Sequence, residues 1–175
     1  MNQLLAFYYR HEPDDQGRHF GEILGRDDEW LEGTHNYIQW LFPLRERSGA
    51  NPSAPLIDDG FATAFRDDEQ LRTNMRAAFD RMLRFYGLRR DAESIVKGAN
   101  WAERKDNWFV DSTHNDLRIT RILKSLRTLG LTDEADRFLA ALKILRASEP
   151  DCGIADEAFG YWQATRAVPV NLPVR

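Results

Sequence analysis

The stretch STHNDLRITRILKSLRTLGLTDEADRFLAALKILR, residues 112–146, contains two helical apolar patterns separated by a short break. The first pattern repeats at steps of three and four residues, which places its apolar side chains on one face of an α-helix: Ile119, Ile122, Leu123, Leu126 and Leu129. The second does the same with Ala135, Phe138, Leu139, Leu142 and Leu145. Two amphipathic helices with a three-residue connection pack against each other, so the stretch predicts an αα-hairpin near 114–146.

The ends of this hairpin carry the expected capping residues. Ser112 or Thr113 can accept a hydrogen bond from the first turn of the first helix. Gly130 followed by Leu131 fits a Schellman ending, in which a left-handed glycine closes the helix and the next apolar residue packs back on it. Thr132 can then begin the second helix, through about Arg146.

Further helical segments lie on both sides of the hairpin. Residues 68–86 repeat apolar positions at helical spacing, 28–42 fit one or two short helices, and 156–165 fit a last one with Phe159 and Trp162 inward. Residues 45–55 read as a loop and 89–98 as a second loop. Because no sustained period-two alternation occurs, the sequence predicts an all-α fold: a single compact domain of six to eight helices.

Composition narrows the class of protein. A chain of 175 residues suggests one domain, expected over 1–167, and Pro169 and Pro173 favour an extended or disordered tail over 168–175. The net charge of −4 argues against general coating of nucleic acid or anionic membrane. The one cysteine, Cys152, allows no intrachain disulfide, which favours a cytoplasmic location. No apolar run is long enough for a membrane span or a signal peptide.

The segment HNYIQWLFPL, residues 35–44, mixes aromatic and polar side chains. On a helix its apolar groups occupy more than one face, so the helix is either central and buried nearly all round or lines a groove with Trp40. The candidate ligand-binding residues here are His35, Asn36, Tyr37, Gln39 and Trp40.

The helix over 114–129 supplies the second group of candidates: His114, Asn115, Arg118 and Arg121. Its cations at 118, 121, 124 and 127 are expected around the outer half, either as a solvated face paired with carboxylates or as a phosphate-binding face. Leu117 lies off the apolar stripe, which suggests that the start of this helix is also buried. A DNA-reading role is disfavoured, because Asp133, Glu134 and Asp136 would repel phosphates.

Signals for catalysis are weak. The four histidines are scattered, and His11, Glu12, Asp14, Asp15 and His19 are expected in a solvated loop rather than around a cation. Cys152 has no activating base nearby in sequence. The sequence therefore predicts a protein that is not an enzyme and uses no metal or cofactor. The open alternative is an enzyme in which His35 and His114 meet in a buried polar site.

Residues 35–44 and 114–126 resemble two signature segments of the opioid growth factor receptor conserved-domain family, in the family's order. The intervening Met82-Leu83-Arg84-Phe85-Tyr86-Gly87 is similar to the family's helix ending in Phe-Tyr-Gly. The resemblance runs from about Phe7 to Ala140 and is that of a short, single-domain, bacterial-type member.

This resemblance implies a peptide receptor. Animal members are described as receptors for the pentapeptide Met-enkephalin with nuclear or perinuclear locations, and a peripheral membrane association follows only by that analogy. The resemblance transfers no ligand-contacting residues. A pocket for a short aromatic peptide would require aromatic walls, a carboxylate for the amine and a cation for the carboxylate end. The nine candidates above could supply the walls, amide contacts and cations, so a small peptide or other small molecule is the expected partner.

Overall fold

The computed structural model of the chain describes residues 2–174, and most of them are helical. The elements are, in order, α1 Gln3–Tyr8, α2 Phe20–Gly25, α3 Asp28–Gly33, α4 Ile38–Leu41, α5 Asp59–Asp67, α6 Glu69–Phe85, β1 Leu88–Asp91, β2 Ser94–Lys97, α7 Trp101–Arg104, α8 His114–Thr128, α9 Thr132–Ser148 and α10 Asp156–Ala164, with 3₁₀ turns at Lys105–Asn107 and Thr165–Ala167.

The helical fold class is confirmed, but the described residues contain ten α-helices rather than six to eight. Helices α3 and α4 lie in 28–42, where one or two short helices were predicted. The helices without a prediction are α5, of nine residues, and the four- to six-residue helices α1, α2 and α7. Segments this short complete too few turns to show a periodic apolar pattern, so sequence periodicity undercounts them.

The chain divides into two compact units within the described residues. The first contains residues 2–79 and 171–174, and the second is Asp80–Val170. The division falls inside α6, between Phe79 and Asp80.

Aromatic side chains form the core of the first unit. The ring of Tyr8 lies 5.3 Å from both Phe20 and Phe61, and its hydroxyl donates to the carbonyl of Leu41 at 2.5 Å. The buried hydroxyl of Tyr8 is thus satisfied by backbone, as a polar group in an apolar core requires.

Residues 171–174 also belong to the first unit and contain no helix or strand. Arg66 donates to the carbonyl of Pro173 at 2.7 Å.

The predicted αα-hairpin is present in the second unit as α8 and α9. Gly130 has φ +78°, Gly130 N–H donates to Arg127 at 3.0 Å, and Leu131 N–H donates to Leu126 at 2.8 Å. These two hydrogen bonds are those of a Schellman ending. The ending stops α8 at Thr128 and turns the chain directly into α9.

The predicted loop over 89–98 is wrong in part, because most of it is an antiparallel β-hairpin. Strands β1 and β2 pair from Leu88↔Lys97 to Asp91↔Ser94, and Ala92 in the turn has φ +49°. Four-residue strands and a turn without glycine or asparagine give neither the alternation nor the turn signal that identify a hairpin in sequence.

Candidate functional site

The first candidate segment is an interior element of the first unit. Residues 37–44 are all buried, and Trp40 is fully so. The Trp40 ring lies 5.1 Å from that of Phe7, while its Nε1–H donates to Asp15 Oδ1 at 3.2 Å. Of the two alternatives, the segment is therefore the central helix, buried on every side. It does not form the wall of an open groove.

A buried carboxylate holds the loop that covers this segment. Asp14 accepts hydrogen bonds from the backbone N–H groups of Gln16 and Arg18 at 2.9 Å each, and the Arg18 guanidinium pairs with it at 2.6 Å. Arg18 also donates to Asn36 Oδ1 at 2.9 Å. The expectation of a wholly solvated loop was wrong for Asp14, whose side chain is fully buried. Backbone hydrogen bonds and the guanidinium compensate the loss of water around it.

The remaining candidates of the first unit differ in exposure. Tyr37 and Gln39 are buried, and the Tyr37 hydroxyl donates to the carbonyl of Leu31 at 3.1 Å. Asn36 is half-buried and His35 is exposed. Only His35 and Asn36 are therefore accessible to a ligand without a rearrangement of this segment.

In the second unit, Asn115 and Arg118 lie on the packed side of α8. They are 0% and 4% exposed, and Arg118 donates to Asn115 Oδ1 at 3.3 Å. Two guanidinium groups lie over the ring of Phe85, that of Arg104 at 4.7 Å and that of Arg118 at 6.0 Å from its centroid. Cation–π contacts of this kind are strongest where water is excluded.

The expected solvated cationic face on α8 is wrong for two of its four members. Arg118 and Arg127 are buried, and Arg127 pairs with Asp136 on α9 at 2.6 Å. Each step of three residues turns the position by about 60° on an α-helix, so four such residues spread over half the circumference. Arg118 and Arg127, the first and last of the four, therefore lie at the two edges of the outer face, where neighbouring elements cover them. Arg121 and Lys124 lie between them and are half-buried.

The accessible side of α8 is a stripe formed by His114, Leu117, Arg121 and Lys124, called here the α8 stripe. Steps of three, four and three residues keep its members within an arc of about 80°. Leu117 is 76% exposed, which corrects the expectation that it is buried. Its offset from the apolar stripe was visible in the sequence, but an offset alone does not distinguish a second packing partner from solvent.

Two carboxylates lie at the start of α8, Asp111 before the helix and Asp116 in its first turn. Asp111 is exposed, and Asp116 is half-buried with Oδ2 accepting from Thr113 N–H at 3.2 Å. Burial raises the pKa of Asp116, and the charge of Asp111 raises it further, whereas the hydrogen bond from Thr113 acts in the opposite direction. Sequence reasoning passed over both carboxylates because acidic residues are usual at a helix start.

The enzyme alternative requires a buried pair of imidazoles. His35 and His114 are both exposed, so the buried polar site is wrong. Within residues 2–174, no group of three or more histidine, cysteine, aspartate or glutamate side chains is arranged to hold a metal ion. None of the helices in that range is long and apolar enough to cross a membrane.

The fold and site thus define a predominantly helical domain that exposes a mixed apolar and cationic helix face. The family described as the opioid growth factor receptor (OGFr) conserved region matches residues 4–163. The chain therefore belongs to this family.

Individual relatives agree with this assignment. The human opioid growth factor receptor is 37% identical over 138 residues, 75% of this chain and 20% of the relative. The mouse opioid growth factor receptor is 42% identical over 104 residues, 58% of this chain and 16% of the relative. The mouse opioid growth factor receptor-like protein 1 is 38% identical over 132 residues, 72% of this chain and 28% of the relative. The chain thus spans less than a third of each relative, and no solved structure matches it.

Proposed function

We propose that this chain is a receptor-type binding domain, and not an enzyme, that takes a short peptide on the α8 stripe. Support for the class comes from the family, whose animal members are named receptors for opioid growth factor. The proposal includes residues 1–167 as one domain and a cytoplasmic location, which a chain with one cysteine favours.

The observation that carries this proposal is the exposure of Leu117. It lies in the middle of a segment that resembles a family signature, yet most of its side chain contacts water. His114 and Arg121 precede and follow it at helical spacing on the same stripe. An apolar anchor between polar groups is the usual composition of a site for a small peptide.

The charges at the two ends of the stripe match those of a peptide with free termini. Asp111 before the stripe can pair with an amine, and Arg121 can pair with a carboxylate. His114 and Arg121 are separated by about 10 Å along the helix axis, at 1.5 Å per residue. An extended pentapeptide spans at most about 17 Å, so its termini can reach charges just outside the apolar contact.

In this proposal, some of the nine predicted residues contact the ligand and the rest hold the surrounding segments in place. His35, Asn36, His114 and Arg121 are the candidates that a ligand can contact directly. Tyr37, Gln39, Trp40, Asn115 and Arg118 are buried and act by holding their segments in place.

Calorimetry with Met-enkephalin, comparing wild type with Leu117→Ser, tests this proposal. Ile144→Ser is the matched control, because Ile144 is 65% exposed on the neighbouring helix of the same unit. Both variants are expected to fold, since neither removes a buried group. Leu117→Ser should weaken binding by about tenfold, equivalent to about 1.4 kcal/mol, and Ile144→Ser should not. Equal affinities for all three proteins, or no heat for wild type, would contradict the proposal.

A further inference from the structure

A second accessible site lies at the C-terminal end of α6, between the β-hairpin and the residues that lead into α7. It is an open cavity of about 700 Å³ in the second unit, with Leu88 and Ala99 among its lining residues. Pockets for small-molecule ligands usually have volumes of about 300–1,000 Å³. The location is separate from the α8 stripe, and the proposed peptide function does not use it.

The lining of this cavity is strongly cationic. Arg84, Arg89 and Arg90 contribute to it, and Asp80 is its one carboxylate among the described residues. Both oxygens of Asp80 are engaged by Arg90, at 2.5 Å from Nε and 2.6 Å from NH2. The Asp80 charge is therefore already neutralised, and two further positive charges remain.

Those two guanidinium groups are available to a ligand. Arg84 is exposed, and among residues 2–174 its guanidinium makes no hydrogen bond or ion pair. Arg89 approaches Asp91 at 3.6 Å, with both side chains more than half exposed. An ion pair this long and this exposed contributes little, so an incoming anion can replace it at small cost.

The backbone around the cavity is held in place. Asn100 Nδ2 donates to the carbonyl of Arg84 at 2.9 Å, and Gly98 N–H donates to that of Gly87 at 2.7 Å. A Cβ on Gly98 would lie 3.1 Å from Asn100 Oδ1 and 3.2 Å from the Gly87 carbonyl oxygen. The close approach holds the backbone at the end of α6 against the segment before α7, and this backbone carries the cationic side chains.

From this arrangement we infer that the cavity binds a small phosphorylated molecule, with Arg84 and Arg89 on its phosphate and Ala99 against its uncharged part. A guanidinium matches phosphate oxygens in a bidentate geometry, and two of them balance the charge of about −2 on a phosphomonoester or on part of a diphosphate. A phosphate-binding face was one of two alternatives for α8; the site inferred here uses Arg84 and Arg89, which are both exposed.

The test is titration with inorganic pyrophosphate, monitored by calorimetry in low salt. The double variant Arg84→Gln, Arg89→Gln should bind at least about tenfold more weakly than wild type. Arg166→Gln is the matched control, because Arg166 is an exposed arginine of the same unit outside the cavity, and it should bind as wild type does. Asp80→Asn should bind more tightly, because it removes the one negative charge that the described residues contribute to the lining.

Circular dichroism confirms that each variant is folded before titration. A loss with Arg166→Gln as large as with the double variant would mean nonspecific attraction and would overturn the inference. No pyrophosphate binding by wild type would do the same. Binding of a single-stranded oligonucleotide with no pyrophosphate binding would assign the cations to a nucleic-acid surface and would also overturn it.

Discussion

At the residue scale, Asp116 and Asp58 occupy related positions at helix starts but have opposite electrostatic environments. Burial raises the pKa of Asp116, and in the described part of the chain its Oδ1 is enclosed without a hydrogen-bond partner. The pKa of Asp58 is lowered, first by the hydrogen bond from Phe61 N–H at 2.7 Å and then by those from Asn2 and Gly60. A carboxylate is therefore disfavoured at the first position and favoured at the second.

Replacing each aspartate by asparagine should change the pH dependence of stability in opposite directions. As pH rises from the ordinary aspartate value of about 3.9 through the raised pKa of folded Asp116, the wild type should lose stability relative to Asp116→Asn. As pH falls from about 3.9 through the lowered pKa of folded Asp58, the wild type should lose stability relative to Asp58→Asn. Denaturant unfolding of the three proteins between about pH 2 and 7 measures both slopes. Slopes of the same sign would show that one of the two environments is misassigned.

The burial of individual side chains could be predicted from the sequence only in part. Burial of Trp40 was one of two alternatives, because an aromatic residue on a second helix face fits either a core or a groove. The burial of Arg118 and Arg127 was not predicted, since an arginine in sequence carries no sign of the ring or carboxylate that will cover it. The exposure of Leu117 was missed because exposed leucines are indistinguishable from core ones by residue type.

At the element scale, Gly87 terminates α6 where the next segment packs most closely. Its φ is +76°, and a Cβ there would lie 2.8 Å from Trp101 Cα and 3.1 Å from Arg104 Cβ. Gly17 has almost the same φ, +77°, with nothing within 4 Å of a Cβ. A comparison of the two glycines therefore distinguishes the cost of a left-handed backbone, which both share, from the cost of a steric clash, which only Gly87 would have.

Gly87→Ala should therefore destabilise the protein far more than Gly17→Ala. The left-handed conformation alone costs an alanine about 1–2 kcal/mol, and Gly17→Ala should lose about that much. Gly87→Ala should lose at least about 3 kcal/mol, because the backbone of α7 must also move. Chemical unfolding of both variants gives the comparison, with soluble yield as a second readout. Losses of equal size would show that α7 does not approach Gly87 as closely as described.

The elements that the sequence predicted are those with long apolar periods and marked ends. Helices α6, α8, α9 and α10 begin and end within about two residues of the predicted positions, because caps and left-handed glycines accompany their apolar stripes. Helices α1, α2 and α7 and the β-hairpin gave no such signals. Their positions are set by packing, which a local pattern does not contain.

At the scale of the whole molecule, the net charge of −4 conceals a separation of charges. Several acids occupy helix starts, where the helix dipole favours them. Some of the cations are buried on aromatic rings or beside carboxylates, and others line the cavity at the end of α6. The overall balance argues against general nucleic-acid coating but does not reveal either proposed site, since both depend on which cations reach the surface.

In the proposed function, a short peptide binds the α8 stripe through its two charged ends and one apolar contact. The most direct measurement compares the affinity of wild type for Met-enkephalin with free termini and for the same peptide carrying an acetylated amine and an amidated carboxyl group. We expect measurable binding of the free peptide and at least about tenfold weaker binding of the blocked one. Equal affinity for the two peptides, or no binding of the free peptide, would contradict the proposed function.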